Sequence, residues 1–219
     1  MNRTPARVLA ALIVVPAVLG LVAARPYASP PEPAADGPGK VAVFAGGCFW
    51  GVEGVFEHLK GVKSATSGYA GGSVASPSYE QVSSGETGHA ESVRVVYDPA
   101  VISYDQLLEV FFTVAHDPTQ LNGQGPDEGT QYRSIVFYTD DAQRQSAEAY
   151  VAKLRAAKTF PAPILTQITP LRAFYQAEGY HQHYMALHPY QPYIVFNDAP
   201  KVAHLRKAFP ALYREPPAN

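Results

Sequence analysis

Apolar residues recur along this chain with two different periods, which predict strands and helices in turn. A β-branched apolar run at 41–45 predicts a buried strand, and apolar positions three and four apart over 49–59 predict a helix. Two glycines separate these segments, and Gly61 is a suitable helix stop because glycine readily adopts a left-handed backbone. The pattern predicts a strand, a tight turn and a helix, with Cys48 in the first turn of that helix.

The remaining elements follow from the same periodicities. The further predicted strands are 62–70, 90–97, 131–139 and 164–168, and the further predicted helices are 103–115, 140–158 and 199–212. A segment at 77–83 is either helical or a loop, and residues 121–130 form a glycine-rich loop without periodicity. Without its N-terminal segment, the chain of 219 residues has the length of one domain with a sizeable core.

The first 24 residues have the features of a targeting segment. Arg3 and Arg7 precede an apolar stretch over 8–22, and small residues allow cleavage after Ala24. We therefore expect a signal peptide and export to the periplasm or another extracytoplasmic compartment. An uncleaved membrane anchor over residues 8–24 is the alternative, because the stretch is long for a signal peptide and slightly short for a spanning helix.

Composition divides the rest of the chain into segments and excludes some classes of function. Residues 25–39 are rich in Pro, Ala and Gly and predict a flexible linker, which leaves a folded domain over 40–213 and a tail over 214–219. The net charge is −2 with acids and bases mixed, so no basic stripe indicates nucleic-acid binding. The one cysteine excludes an internal disulfide and any cysteine-based zinc site.

Cys48 is the candidate nucleophile. Unpaired N–H groups and the helix dipole stabilise a thiolate at a helix N-terminus, so we expect the pKa of Cys48 to be lowered. Gly46 and Gly47 are expected to leave its sulfur uncovered. A lone cysteine is more often an inert core residue, packed here beside Phe49, and that alternative stays open.

Glu91 is a candidate acid because of its place in a predicted strand. Alternation over 90–97 puts it on the same face as Val93 and Val95. A carboxyl at the end of an apolar face is desolvated, so its pKa rises and it can carry a proton near neutral pH. A glutamate at the rim of the sheet, in water or paired with an arginine, fits the pattern equally well.

Other polar residues are weaker candidates when each is taken alone. Tyr79 and Tyr132 lie on short irregular stretches or strand edges, where a tyrosine usually belongs to the core. Asp127 lies in the glycine-rich loop and is typical of a turn. The histidines at 181, 183 and 188 lie among aromatic residues that suit packing, so we expect no metal there.

Four blocks of sequence, in order, resemble the motifs of the peptide-methionine (S)-S-oxide reductases, the A type of methionine sulfoxide reductase. The blocks are Gly46–Gly51, Ser78–Tyr79 with Thr87–Glu91, Asp127–Ser134, and Gly179–Gln182 with Tyr184. The resemblance covers about 40–213 and implies an α+β fold. It implies a two-layer sandwich with a mixed, mainly antiparallel sheet, helices and long coil segments, as a ferredoxin-like variant.

The resemblance also implies a reaction, the reduction of the S epimer of methionine sulfoxide, free or in oxidised proteins. Cys48 would attack the sulfoxide sulfur and become a sulfenic acid, while protonated Glu91 would protonate the oxygen. No metal or organic cofactor is implied.

Substrate contacts follow from the same resemblance. Phe49 and Trp50 would hold the S-methyl group, and Tyr79 and Tyr132 would hydrogen-bond the sulfoxide oxygen as negative charge builds on it. Asp127 would contact the backbone amide of the substrate. His181, in the fourth block, joins the candidate substrate-binding residues.

The chain departs from the family pattern in the residues that would reduce the oxidised Cys48 again. Many members carry a resolving cysteine, often in the C-terminal tail, and residues 213–219 contain none. An external thiol must then reduce the sulfenic acid, and the partner is thioredoxin-like, glutaredoxin-like or a small thiol.

Three other functions use only part of this pattern. A thiol hydrolase or acyltransferase would pair Cys48 with His89 or His181. A peroxide-reducing thiol protein would also pass through a sulfenic acid. A binding module would use an aromatic pocket around Trp50 without turnover, and its affinity would survive Cys48→Ser.

Overall fold

The computed structural model describes Met1 and residues 39–215. The predicted targeting segment, the anchor alternative over 8–24, most of the linker over 25–39 and the end of the tail over 214–219 lie outside the described residues. Within the described part of the chain, no helix is long and apolar enough to cross a membrane. Arg214, at the start of the predicted tail, donates hydrogen bonds to the Glu57 and Val62 carbonyl oxygens.

A mixed sheet organises the described residues. The strands are β1 (Lys40–Ala45), β2 (Val62–Ala70), β3 (Ala90–Tyr97), β4 (Gly123–Gln124), β5 (Asp127–Glu128), β6 (Ile135–Tyr138), β7 (Gln167–Pro170) and β8 (Phe174–Gln176). Six of them form one sheet in the order β7-β6-β1-β3-β2-β8, while β4 and β5 pair separately. In the six-stranded sheet, β6 and β7 pair in parallel and the other neighbours pair antiparallel. This confirms the mixed α+β class.

Helices and short helical turns connect the strands. The helices are α1 (Phe49–Glu57), α2 (Tyr79–Ser83), α3 (Tyr104–Val110), α4 (Asp141–Ala156), α5 (Tyr184–Leu187) and α6 (Ala199–Ala208). Tight 3₁₀ turns occur at Thr130–Tyr132 and Gly179–His181, and wider π-helical turns occur at Phe111–Ala115 and Ile194–Asp198.

The core divides between the two faces of the sheet, as the period of two along a strand requires. Phe44 in β1 faces the larger apolar cluster, which includes the buried residues of α1 and α3. Its ring stacks 5.1 Å from that of Phe56 and 4.9 Å from that of Phe111. Its neighbours Val43 and Ala45 belong to a smaller cluster on the other face, against which Leu171 and Phe174 pack.

The helix predicted over 103–115 changes its geometry part-way. Ser103 caps α3, and its hydroxyl and the Gln106 side chain form a capping box. From Phe111 onward the helix widens into a π turn. The His116 side chain closes this turn, because its Nδ1 lies 2.9 Å from the Phe111 carbonyl oxygen.

Other predicted boundaries were wrong in local ways. The strand predicted over 131–139 is confined to β6 and follows a 3₁₀ turn, and the predicted loop over 121–130 contains the ribbon β4–β5. The final helix, predicted over 199–212, ends with α6 shortly before Pro210, because proline disfavours helical backbone in the preceding residue.

Candidate active site

Cys48 lies between β1 and α1 and is the N-cap residue of the helix. It therefore sits one position before the first helical turn, in which it was predicted. Gly47 turns the chain with a φ of +95°, a left-handed conformation that glycine adopts without strain.

The expectation that two glycines uncover the sulfur was wrong. Cys48 is buried, with 8% of its surface exposed. A Cβ atom on Gly46 would lie 2.9 Å from His116 Cγ, and one on Gly47 would lie 2.6 Å from Gln124 Cγ. The glycines are needed because neighbouring side chains pack directly against this turn.

The expected lowering of the Cys48 pKa was also wrong. Burial raises the pKa of Cys48 well above its usual value, and the negative charges of Glu91 and Asp198 raise it further. The Trp50 backbone N–H lowers the pKa and does not compensate for these effects. Before substrate binds, Cys48 is therefore a thiol at neutral pH.

Glu91 shares the N-terminus of α1 with Cys48. Its Oε2 accepts a hydrogen bond of 3.0 Å from the Phe49 backbone N–H, and its side chain is buried. Burial raises the pKa of Glu91 to about 8, and the charges of Asp127 and Asp198 add to the rise, while the Phe49 N–H opposes it. This agrees with the raised pKa expected from strand alternation, so Glu91 carries a proton at neutral pH.

Tyr79 and Tyr132 come from separate elements, α2 and a 3₁₀ turn. Burial raises the pKa of each hydroxyl, and the charges of Glu91 and Cys48 contribute to both shifts. Both tyrosines therefore stay protonated and can donate hydrogen bonds near these two groups. The Tyr79 backbone N–H is anchored to Glu178 Oε1 at 2.9 Å.

Phe49 and Trp50 form an aromatic wall beside the nucleophile. Phe49 is buried, whereas Trp50 is partly exposed. The Trp50 ring stacks on Tyr184 with centroids 3.7 Å apart, and Tyr193 meets it edge-on at 5.9 Å. The wall is apolar and held from two sides.

His181 lies behind this wall and is 1% exposed. Its Nδ1 accepts a hydrogen bond of 3.1 Å from Trp50 Nε1, and its ring centroid is 4.9 Å from that of Phe49. Burial lowers the pKa of His181, so the ring is neutral near pH 7. These contacts suit a residue that orients Trp50.

Asp127 enters from the ribbon β4–β5 and is partly buried. Its Oδ2 accepts a short hydrogen bond from the Tyr193 hydroxyl. Burial raises the pKa of Asp127, although Tyr193 and the positive charge of Lys201 lower it. The structure thus links Asp127 through Tyr193 to Trp50.

Sequence reasoning missed Tyr193 and Asp198. Asp198 is fully buried, and its Oδ1 accepts a hydrogen bond of 3.1 Å from Lys201 Nζ. A Cβ atom on Gly51 would lie 2.1 Å from that oxygen, so Asp198 packs against α1 close to Cys48. Its only sequence signal is an acid and a lysine three residues apart at the start of a predicted helix, which is common at exposed helix ends.

Neither histidine proposed for a hydrolase pairs with Cys48 in the described part of the chain. His89 Nδ1 accepts from the Gly72 N–H at 3.2 Å, and its Nε2 lies 2.7 Å from the Val74 carbonyl oxygen. His181 Nδ1 is occupied by Trp50. A thiol hydrolase needs a free histidine base at the nucleophile, and this arrangement does not supply one.

The fold and the site together define a class of thiol enzyme in which a buried cysteine works beside a protonated carboxyl and an aromatic wall. Comparison with known proteins narrows that class. The chain belongs to the peptide methionine sulfoxide reductase family, whose model matches residues 40–212.

Relatives match over nearly their full length. Peptide methionine sulfoxide reductase MsrA 2 of Mesorhizobium japonicum is 58% identical over 186 residues, which are 85% of this chain and 95% of that protein. MsrA of Natronomonas pharaonis is 55% identical over 168 residues, which are 77% of this chain and 94% of that protein.

Solved structures of the family share the fold. Mxr1 from Saccharomyces cerevisiae in reduced form is 36% identical with a TM-score of 0.63, over 70% of this chain and 87% of that one. Methionine sulfoxide reductase A of Corynebacterium diphtheriae is 37% identical with a TM-score of 0.64, over 72% of this chain and 80% of that one.

Proposed function

We propose that this chain reduces the S epimer of methionine sulfoxide, free or within oxidised proteins, and so repairs oxidised methionine. The observation that carries the proposal is the meeting of a thiol and a protonated carboxyl at one helix N-terminus. Cys48 is the N-cap of α1, and Glu91 accepts the N–H of the next residue, Phe49. Attack on a sulfoxide needs both a sulfur nucleophile and an acid for the departing oxygen.

Substrate binding would use the aromatic wall and the two tyrosines. The S-methyl group packs against Phe49 and Trp50, which directs the sulfoxide oxygen towards Glu91, Tyr79 and Tyr132. Because burial raises the pKa of both tyrosines, each keeps the proton that it donates to the oxygen. Asp127, which accepts a hydrogen bond from the Tyr193 hydroxyl, would also accept one from the substrate's backbone amide.

The chemical step transfers oxygen from one sulfur to another. Glu91 gives its proton to the sulfoxide oxygen, and its carboxylate takes up the thiol proton of Cys48 as the Cys48 sulfur attacks the sulfoxide sulfur. The new sulfur–sulfur bond breaks as the hydroxyl group passes to Cys48 and methionine leaves. The products are methionine and Cys48 sulfenic acid, so the substrate gains the two electrons that Cys48 loses. Because the raised pKa values of Cys48 and Glu91 hold protons in the site, the nucleophile forms only as the oxygen takes up its proton.

Recycling would use an external thiol. The first thiol condenses with the sulfenic acid, releases water and forms a mixed disulfide, and a second thiol reduces that disulfide. This chain has one cysteine, so a thioredoxin-like protein, a glutaredoxin-like protein or a small thiol must supply both equivalents. The reaction as proposed uses no metal or organic cofactor.

Finer points of architecture and location belong to the same proposal. The four central strands, in the order β6-β1-β3-β2, support a ferredoxin-like unit within the α+β fold.

We propose residues 40–213 as the catalytic domain, with export directed by a signal peptide cleaved after Ala24. N-terminal sequencing of the protein from its native cells should then begin at Arg25, and an intact Met1 would support the anchor over 8–24.

Steady-state assays with separated sulfoxide epimers test the function. With a thiol donor present, methionine should form from the S epimer only, and Cys48→Ser should abolish it. Replacing the sulfoxide by hydrogen peroxide distinguishes the peroxide-reducing alternative, which requires much faster consumption of peroxide. Turnover of an ester or amide without reductant would instead favour a hydrolase.

A further inference from the structure

A second cluster of polar side chains joins the far end of α1 to the start of α5. It consists of Glu53, Glu57 and His183, and we call it the α1–α5 cluster. One potential ligand atom from each residue lies within 4.8 Å of the other two. None of the three is among the residues assigned above to the reaction.

Glu53 is the buried member, with 1% of its surface exposed. Its Oε2 accepts hydrogen bonds from the Ser67 hydroxyl at 3.0 Å and from the His183 backbone N–H at 3.1 Å. Its Oε1 is buried and has no hydrogen-bond partner within residues 39–215. A buried carboxyl oxygen without a partner is costly, which points to a group that the protein side chains do not supply.

His183 and Glu57 complete the cluster on its open side. His183 Nδ1 contacts Glu57 Oε1, and the His183 side chain is 48% exposed. The same two residues line a cavity of about 530 Å³ that also includes Gly54 and Met185. An ion can therefore reach Glu57 and His183 from this cavity.

We propose that Glu53, Glu57 and His183 bind a divalent first-row transition-metal ion such as Zn²⁺. Two carboxylates and one imidazole suit such an ion, whereas Mg²⁺ and Ca²⁺ prefer all-oxygen shells. Water completes the tetrahedral shell. Zinc–ligand distances of about 2.0–2.2 Å require the exposed His183 side chain to move away from Glu57 as the ion enters between them.

The expectation of no metal rested on the sequence around the histidines alone. The carboxylates of this cluster come from α1, near the start of the domain's sequence, whereas His183 lies near its end. Only the packing of α5 against α1 brings the three side chains together.

The ion would stabilise the packing of α5 against α1. Tyr184, next to His183, stacks on Trp50 at 3.7 Å, so a cation that fastens His183 to α1 also steadies the aromatic wall. Without the ion, burial and the charge of Glu57 raise the pKa of Glu53 to about 8, so a proton neutralises the Glu53 carboxylate in place of the cation.

Calorimetric titration of the full-length chain with ZnCl₂ tests the site. Cys48→Ser is the background, because it removes the thiol as a competing zinc ligand, and chelator treatment removes bound metal first. We expect one saturable equivalent, with an affinity that falls by more than about tenfold in Glu57→Gln and in His183→Asn. His204→Asn, at an exposed histidine on α6, is the matched control and should bind as the background does.

Cobalt provides a second readout that does not depend on stability or activity. Co²⁺ should give visible absorption bands whose position changes in His183→Asn and stays unchanged in His204→Asn. If Glu53→Gln does not fold, Glu57→Gln and His183→Asn, on the open side of the cluster, still test whether it binds metal. No saturable equivalent, or zinc binding equal in all variants, would overturn the proposal.

Discussion

In the proposed reaction Cys48 is the nucleophile and Glu91 is the acid, and the charge of Glu91 affects the protonation of Cys48. The charge of Glu91 raises the pKa of Cys48, and burial raises the pKa of both. The helix N-terminus therefore does not prepare a permanent thiolate. In the proposed mechanism, it brings the sulfur and the carboxyl together, so that a sulfoxide oxygen takes up a proton as the thiolate attacks.

Glu91→Gln removes both the carboxylate charge and the proton donor, and two measurements separate these effects. Removing the carboxylate charge should lower the pKa of Cys48, measured by the pH dependence of iodoacetamide alkylation. Loss of the proton donor should slow sulfoxide reduction by about 10²–10⁴-fold in single turnovers. In the unmodified chain, the Glu91-dependent step should slow as the pH rises through about 8, because Glu91 then loses its proton.

Asp198→Asn is the matched control for charge. It removes another carboxylate that raises the pKa of Cys48 but leaves the proton donor in place. Its Cys48 should also become more acidic, with a much smaller loss of rate than in Glu91→Gln. An unchanged reduction rate in Glu91→Gln would exclude Glu91 as the proton donor.

Trp50→Phe tests the aromatic wall. The substitution removes the hydrogen bond to His181 and reduces the stacked area on Tyr184. We expect KM for the sulfoxide to rise about two- to tenfold, matching the 0.5–1.5 kcal/mol of an aromatic contact, with kcat little changed. Tyr190→Phe, at a tyrosine that is 91% exposed, should leave KM unchanged. A fall in kcat at constant KM would place Trp50 in the chemical step instead.

Residue properties set by the local chain were predictable, and those set by distant packing were not. Alternation along β3 gave the raised pKa of Glu91 as one of two equal alternatives, because burial on a sheet face repeats every second residue. The pKa of Cys48 depends on its burial in the folded domain and on the charge of Asp198, which comes from the far end of the domain's sequence. No local pattern around Cys48 carries that information.

At the scale of elements, α1 connects the parts of the site. It begins beside Cys48, carries Phe49 and Trp50, and packs against α6 through Gly51. The contact is close because glycine has no side chain, and the Asp198 carboxyl occupies the space that a Cβ atom would fill.

Gly51→Ala should separate α1 from α6. Its Cβ would lie 2.1 Å from Asp198 Oδ1, which is buried and tied to Lys201, so neither group can turn aside. We expect a loss of about 1–3 kcal/mol in the free energy of unfolding, measured by urea denaturation.

Gly54→Ala is the control in the same helix. Its Cβ would meet the flexible Met185 thioether, which can rotate away. The gain in helix propensity then offsets the crowding. Equal stability of the two variants would mean that the contact with Asp198 does not constrain α1.

Elements were predicted well where one period continues and poorly where the backbone changes geometry. The long strands follow local rules, whereas the π turns at Phe111–Ala115 and Ile194–Asp198 arise inside segments that continue a helical pattern. The ribbon β4–β5 has two residues in each strand, too few for alternation to be visible. Its position nevertheless decides where Asp127 lies.

At the scale of the molecule, the site is assembled from segments spread over most of the domain. Cys48 and Glu91 come from the first half, and Tyr193 and Asp198 come from its end. A mixed α+β fold brings them together because β1 and β3 are neighbours in the centre of the sheet. The family resemblance predicted this class of fold, while the pairings and the contribution of α6 required the structure.

Deletion of residues 2–38 should leave the reductase intact, since every proposed site residue lies between Cys48 and Asp198. We expect kcat/KM to stay within about twofold and the free energy of unfolding to change by no more than about 0.5 kcal/mol, as for changes outside a folded core. Both are compared with the full-length chain under the same reductant. A large loss of either would show that the N-terminal segment contributes to the folded domain or to its site.

The most direct test of the central claim is a single turnover of the pre-reduced protein with separated methionine sulfoxide epimers and no added thiol. One cysteine and no resolving partner predict about one methionine per chain from the S epimer, none from the R epimer, and a dimedone adduct on Cys48. Formation of no methionine, or of methionine without a trapped sulfenic acid, would contradict the account.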